Sequence, residues 1–382
     1  MKHFIVLFSI VITIYGALNT YIGIRGWQAF SKGIPQGYGK FYWLAFTFLA
    51  ISYFVGRIGD KVLPGAVSRG LTLIGAYWLI FIYYGVIILL ILDLIRLLDR
   101  GFPFIPAGLK PSPATFGLIV VGLLIGILVY GTWNARNPVF RHYALTIPKS
   151  TPDLSALRVI VVSDIHLGNI VHNGRLTRMI NQINERNPDL VLLPGDIIDE
   201  DIGPFIEQKM PETFQQLHPK YGVYAVFGNH EYIGGHAEEA LYYLSQAGVT
   251  VLRDDYVQVA DSFYLVGRDD PARQRHAQKS RQDLKTIMEG IDYSLPIILL
   301  DHQPFNLEEA QAIGVDLQLS GHTHRGQFFP NNLITQKIFE IDWGYLRKDT
   351  LQVIVSCGFG TWGPPVRIGN TPEVVDLVIH FL

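Results

Sequence analysis

The sequence predicts an α/β domain preceded by an all-α transmembrane bundle of four helices, on three observations. Four apolar runs (residues 4–24, 41–58, 71–92 and 116–133) fill the first third of the chain, strand and helix patterns alternate beyond residue 157, and Asp, His and Asn recur where those strands end. Each run approaches or exceeds the roughly 18–20 residues that carry a helix across a bilayer core, and charges fall almost wholly between the runs. Residues 1–134 are therefore read as the transmembrane region, 135–156 as a linker and 157–382 as the soluble domain.

The first run follows Lys2 and is long for a signal-peptide core, with no small-x-small cleavage site after it, so it reads as a retained span. The second is diluted by Ser52 and Gly56 and has Arg57 near its end, which leaves an interfacial or re-entrant helix as its alternative. Tyr42, Trp43, Tyr130 and Trp133 suit the headgroup belt. Residues 93–104 read as an amphipathic stretch along the interface, with Asp93 and Arg96 at i and i+3. Pro138, Pro148 and Pro152 mark the linker.

Beyond it, residues 157–162, 190–193 and 223–227 are strands, with helical spacing at 175–185, 205–217 and 237–246 between and after them. That rhythm implies parallel pairing. Short strands with Asp-rich turns between 249 and 266 suggest antiparallel hairpins. Further strands are expected at 296–300, 316–319, 352–355 and 374–379, with a helix at 307–313.

Bulk properties exclude more than they assign. Apolar residues make up 49% of the 382, the net charge is −2, and no basic block points to nucleic acid. The single cysteine, Cys357, excludes an intramolecular disulfide and a thiolate zinc knuckle. Lys and Arg are shared almost evenly between the two sets of loops, so the positive-inside rule does not decide orientation. An even number of spans and a short N-terminus inside would place the soluble domain on the cytoplasmic side of the cell membrane.

The chemistry gathers at strand ends. Ser163-Asp164-Ile165-His166, Gly195-Asp196-Ile197-Ile198-Asp199, Gly228-Asn229-His230-Glu231, Asp301-His302 and Gly321-His322-Thr323-His324 each follow a predicted strand. In open α/β sheets ligands bind beyond the carboxyl ends of the strands, so five segments deliver oxygen and imidazole donors to one edge. Donors of this type, with no thiolate, suit borderline cations such as Mn, Fe or Zn.

This ordered set resembles the calcineurin-like metallophosphoesterase family, and the tail from Gly358 to Arg367 with the helical front end is similar to its membrane-associated bacterial branch. The resemblance implies a four-layer α/β/β/α sandwich and a centre for two divalent metal ions. It implies Asp164, His166 and His324 on one ion, Asn229, His302 and His322 on the other, and Asp196 bridging. Such a pair lowers the pKa of a bridging water and clamps phosphoryl oxygens during in-line attack. The resemblance gives His230 the catalytic role of protonating the leaving group or stabilising the transition state, a role that suits an imidazole. Asp199 is expected to fix the loop or orient a ligand. Glu231 stands where Asp is frequent in the family, with the same hydrogen bond expected at longer reach.

Arg325 and Arg367 are candidate phosphate clamps, since a guanidinium matches two phosphate oxygens; the alternative for each is a solvent-facing arginine. The turn at Gly267 to Pro271 is open to two readings, a loop that shapes the substrate site or a turn built simply on Asp and Pro. The remaining histidines, His142, His172, His218, His236, His276 and His380, read as surface or core-edge residues, with His172 the best exception. The expected function is a membrane-bound dimetal phosphohydrolase cleaving phosphoester or pyrophosphate bonds by metal-activated hydroxide, with a phosphate-bearing small molecule or lipid as partner. Its rival is a membrane receptor or scaffold whose domain binds a phosphorylated ligand without turnover.

Overall fold

The computed structural model describes residues 2–59 and 62–382. The chain divides into two compact units, 1–132 with 363–366, and 133–362 with 367–382.

The first unit is helical: α1 (Lys2–Phe30), α2 (Gly39–Ile58), α3 (Gly65–Gly101) and α4, which starts at Pro113 and ends at Arg136. Among the described residues, α2, α3 and α4 are long and apolar enough to cross a membrane. The first apolar run lies on α1, and its residues 4, 5, 7 and 8 fall outside those whose side chains are described. Small residues bring α2 and α3 together: a Cβ on Gly75 would stand 2.2 Å from the backbone nitrogen of Tyr53. Residues 93–101 of the stretch expected along the interface continue α3 without a break. Asp99 ties down the end of that helix by accepting from the amides of Phe104 (3.1 Å) and Ile105 (2.8 Å) and pairing with Lys110 (2.5 Å).

The second unit holds the strands β1 (Val139–Ile147), β2 (Ala156–Val161), β3 (Leu190–Pro194), β4 (Val223–Val226), β5 (Val249–Val251) and β6 (Asp255–Val259). They are followed by β7 (Phe263–Gly267), β8 (Ile297–Leu300), β9 (Leu317–Ser320), β10 (Gly344–Lys348), β11 (Leu351–Val355) and β12 (Glu373–Phe381). Two six-stranded sheets result, ordered β1-β12-β2-β3-β4-β5 and β10-β11-β9-β8-β7-β6. Period-2 burial explains how they pack. Leu157, Val159 and Val161 of β2 join Leu265, Ile298 and Leu317 in the core between the sheets, while Ile160 faces the other way.

On the outer side of the first sheet lie α5 (Asn173–Asn184), α6 (Gly203–Glu207), α7 (Met210–Phe214), α8 (Asn229–Ile233) and α9 (Ala237–Gln246). Beyond the second sheet, α11 (Leu284–Ile287) and α12 (Leu307–Ile313) cover Val266, Leu299 and Val353. The short α10 (Ala272–Ala277) and α13 (Asn332–Ile338) complete the unit. The order of layers is α/β/β/α.

Three segments differ from the sequence reading. Residues 139–147, placed in the linker, form β1 and pair in parallel with β12 along its whole length. The helix expected at 205–217 divides into α6 and α7, because Lys209 adopts a left-handed φ of 55°. The hairpin region divides between sheets: β5 pairs in parallel with β4, whereas β6 and β7 form an antiparallel pair.

Glu373, 1% exposed at the start of β12, ties segments of both sheets together. It accepts from Arg141 Nε on β1 (2.9 Å), Trp343 Nε1 beside β10 (3.1 Å) and the amide of Cys357 after β11 (3.1 Å). Truncation would leave buried donors without partners. Glu373→Ala is expected to destabilise the domain by about 3 kcal/mol and lower its melting temperature by roughly 10 °C, measured by thermal unfolding of the full chain in detergent. An unchanged melting temperature would contradict this assignment.

Candidate metal centre

All five motifs lie just beyond the strands that precede them. Asp164 and His166 follow β2, Asp196 follows β3, Asn229 and His230 open α8 after β4, His302 follows β8, and His322 and His324 follow β9. Because β2, β3 and β4 run parallel, as do β8 and β9, each set of ends emerges at one edge. Five of these residues take left-handed backbone, with φ of 51° at Asp164, His166 and Asp196, 70° at His322 and 47° at His324. Such conformations cost about 1–3 kcal/mol each and persist only where the surroundings enforce them.

The enforcement is visible at Gly321. A Cβ there would fall 2.2 Å from Asp164 Oδ2 and 1.7 Å from Ser163 Oγ, so only glycine lets the His322 loop rest on Asp164. The His322 amide then donates to Asp164 Oδ1 at 3.0 Å and Oδ2 at 3.1 Å. Ser163 Oγ donates to the same carboxylate.

The side chains form sets whose donor atoms lie within 4.8 Å of one another: Asp164, His166 and His324; Asp196, His302 and His322; and His166, Asp199 and His230. Asp196 stands between the first two. Its Oδ1 accepts from the amide of His230 (2.9 Å), while Oδ2 lies 3.2 Å from His302 Nε2 and 3.8 Å from His166 Nε2. His302 Nδ1 donates to the carbonyl of Pro194 at 2.8 Å, which directs Nε2 into the site.

Asn229 Oδ1 is buried with no hydrogen-bond partner, and buried His302 Nε2 faces only the Asp196 carboxylate at 3.2 Å. Leaving a buried polar atom bare costs about 1–3 kcal/mol, and a cation would satisfy both. The Nε2 atoms of His166 and His324 approach to 2.9 Å. Two nitrogens bound at right angles to one ion at the usual length would stand about 3 Å apart. The residues present fit a pair of metal ions.

Electrostatics agree with that fit. Burial opposes ionisation of Asp196, but His302 and His230 outweigh it and hold its pKa well below the carboxylate range. Burial, followed by the proximity of His302, brings His322 down to about 3; burial, His166 and Arg367 keep His324 well below the usual imidazole value. Both rings stay neutral, as ligation requires. For His230, burial works against protonation, yet Asp196, Asp199 and Glu231 raise its pKa to about 9. Its Nδ1 lies 3.1 Å from Asp199 Oδ1, so Asp199 orients this imidazole.

Glu231 does more than supply one hydrogen bond at longer reach. Its carboxylate accepts from four backbone amides, those of Asp196 (3.2 Å), Ile197 (2.7 Å), Ile198 (2.9 Å) and Gly228 (2.8 Å), clasping the Asp196 loop to the Asn229 loop.

The two arginines are not free clamps. Arg367 is fully buried, donating to the carbonyls of Cys357 (2.7 Å) and Gly360 (2.7 Å) and lying 3.0 Å from His324 Nδ1, where it fixes the imidazole. Arg325 lays its guanidinium 4.1 Å over the Trp343 ring. His172 caps α5 by accepting from the Gly174 amide (3.1 Å), and Asp270 is buried, accepting from Gln303 (2.8 Å). One functional candidate had only the glycine-rich tail as a signal: Trp362, half exposed, presents its ring edge-on to His230 at 6.4 Å and is held by Gln327.

Comparison with known proteins decides the family. The profile for Calcineurin-like phosphoesterase matches residues 157–326. A protein of Aquifex aeolicus named an uncharacterized metallophosphoesterase is 34% identical over 236 residues, 61% of this chain and 87% of that one. The chain belongs to the calcineurin-like phosphoesterase family. This phosphoesterase is also 31% identical, over 70% of its length, to a Danio rerio protein named a transmembrane protein with metallophosphoesterase domain, of which it spans 64%. With an uncharacterized metallophosphoesterase of Campylobacter jejuni it shares 27% identity over 98% of both chains. It is thus a metal-dependent phosphoesterase, and its apolar helices indicate membrane association.

Losing the Glu231 clasp is expected to weaken metal binding. Glu231→Ala should lower Mn affinity roughly 10–100-fold in a metal titration, and unaltered affinity would contradict the role. Gly321→Ala, which must displace Asp164, should abolish turnover while the fold persists by circular dichroism; full activity would contradict the close approach.

Proposed function

We propose that the chain is an integral-membrane dimetal hydrolase cleaving phosphoester or pyrophosphate bonds on a phosphate-bearing small molecule or lipid near the headgroups. The observation that carries this reading is the pair of buried donor sets, Asp164, His166 and His324 beside Asp196, His302 and His322, each with its ligand atoms within 4.8 Å of one another. Asp164, His166 and His324 would hold one divalent cation and Asn229, His302 and His322 the other, with Asp196 shared by both. When bound, two ions of the Mn, Fe or Zn type supply Lewis-acid polarisation of the phosphoryl oxygens and lower the pKa of a water.

The protein's own groups do the rest. His230, held by Asp199 and kept protonated by the surrounding carboxylates, is placed to carry a proton to the departing oxygen. Trp362 offers an apolar wall beside it. On the other side of the site, Phe339 approaches His322 at 6.1 Å and packs against Phe305 at 4.6 Å.

A substrate at a lipid surface is favoured by the segment after the His322 loop. Phe329 and, on α13, Leu333, Ile334 and Ile338 are each at least half exposed, an apolar patch of the kind that seats against acyl chains. The cytoplasmic side for this domain rests instead on an even number of spans with the N-terminus inside, and protease accessibility in sealed vesicles tests it.

Hydrolysis of bis(4-nitrophenyl) phosphate with Mn tests the chemistry. Chelation should remove turnover and Mn restore it. Asp196→Ala should abolish it, and His230→Ala should lower kcat about 10²–10⁴-fold with metal content unchanged. Activity surviving Asp196→Ala would overturn the mechanism.

A further inference from the structure

The helical bundle forms a partly open cavity of about 830 Å³, within the roughly 300–1,000 Å³ range of ligand sites. Its walls come from all four helices. Aromatic side chains line much of its length: Trp78 stacks on Phe81 (5.1 Å between ring centres, 8° between planes), and Phe46 meets Trp78 edge-on at 5.0 Å. The indole N–H of Trp78 is satisfied by Asn19 Oδ1 at 2.9 Å, so the ring faces are left for apolar contact.

The chemistry changes at one end. There, where α1 ends and α4 begins, Arg25, Asp93, Arg96 and Arg100 line the same cavity. Asp93 is already engaged: it pairs with Arg25, accepts from Tyr21 Oη at 2.7 Å and receives Arg96 Nη1 at 3.2 Å. Arg96 also lies 3.9 Å over the Phe116 ring, which holds its guanidinium at the cavity wall. Among the described residues, Arg100 has no carboxylate partner. Three guanidinium groups against one carboxylate leave a net charge of +2 at this end.

Arg96 and Arg100 are exposed at this end of the cavity, and an unbalanced cluster of arginines at the end of a membrane bundle favours an anionic headgroup. A soluble anion would leave the aromatic length of the cavity unfilled, and a zwitterionic lipid would leave the excess charge uncompensated. An anionic head on long apolar chains meets both demands.

We propose that this cavity binds one anionic glycerophospholipid, its phosphate between Arg96 and Arg100 and its acyl chains along Phe46, Trp78 and Phe81. The site is distinct from the metal centre, since every residue lining it belongs to the bundle helices or the segment leading into α4.

Native mass spectrometry of the full chain, released from detergent containing either phosphatidylglycerol or phosphatidylcholine, tests it. Phosphatidylglycerol should be retained on the order of tenfold more than phosphatidylcholine. Arg96→Gln with Arg100→Gln should erase that preference while Mn-dependent turnover of a soluble chromogenic diester stays unchanged. Val121→Trp, which fills the apolar stretch without altering charge, should reduce phosphatidylglycerol retention. Equal retention of both lipids by the wild type, an undiminished preference in the arginine variant, or undiminished retention in Val121→Trp would each overturn the proposal.

Discussion

The structure depends on one buried carboxylate that its surroundings satisfy only in part. Asp196 is 2% exposed, with Oδ1 taken by a backbone amide and Oδ2 turned toward two histidines. The rest of the catalytic unit can be understood as the means of holding that arrangement. Parallel strands bring the ligand loops to a common edge, Glu231 clamps two of them together, and Gly321 lets a third approach within reach of Asp164. Strained backbone at the ligands is the cost of this convergence, offset by the packed sandwich beneath.

The support around the candidate metal centre is buried hydrogen bonding, and its parts are not interchangeable. Arg367, fully enclosed, directs its guanidinium to backbone carbonyls and to Nδ1 of His324. Asn134 donates to the carbonyls of Arg367 (3.1 Å) and Asn370 (2.6 Å), and Asn370 in turn donates to that of His324 (3.2 Å). His324, a candidate metal ligand, is therefore fixed by a chain of contacts that starts at Asn134. Groups of this kind govern metal affinity as much as the ligands do.

Much of this was legible in the sequence because metal donors must be Asp, His or Asn at the ends of strands, and strand ends are marked by Gly. The donor atoms of Asp164, His166 and His324, and those of Asp196, His302 and His322, gather at such strand ends. The features that were not legible depend on partners distant in the chain or on the backbone. Arg367 and Glu231 bind carbonyls and amides, which carry no side-chain signature. Strand β1 pairs with β12, more than 230 positions away, and its half-exposed pattern between prolines resembles a linker. The continuous α3 was obscured because Asp93, Arg96 and Asp99 look interfacial until their partners, Arg25 and Lys110, are in view.

The proposal that the donors around Asp196 hold two ions is tested most directly by metal analysis of the purified full chain, dialysed to equilibrium against Mn. Two equivalents per chain are expected in the wild type, with one ion weakened selectively when Asn229 or His302 is replaced by Ala. Turnover of a phosphodiester by wild-type chain carrying no metal, or a stoichiometry indifferent to both replacements, would contradict it.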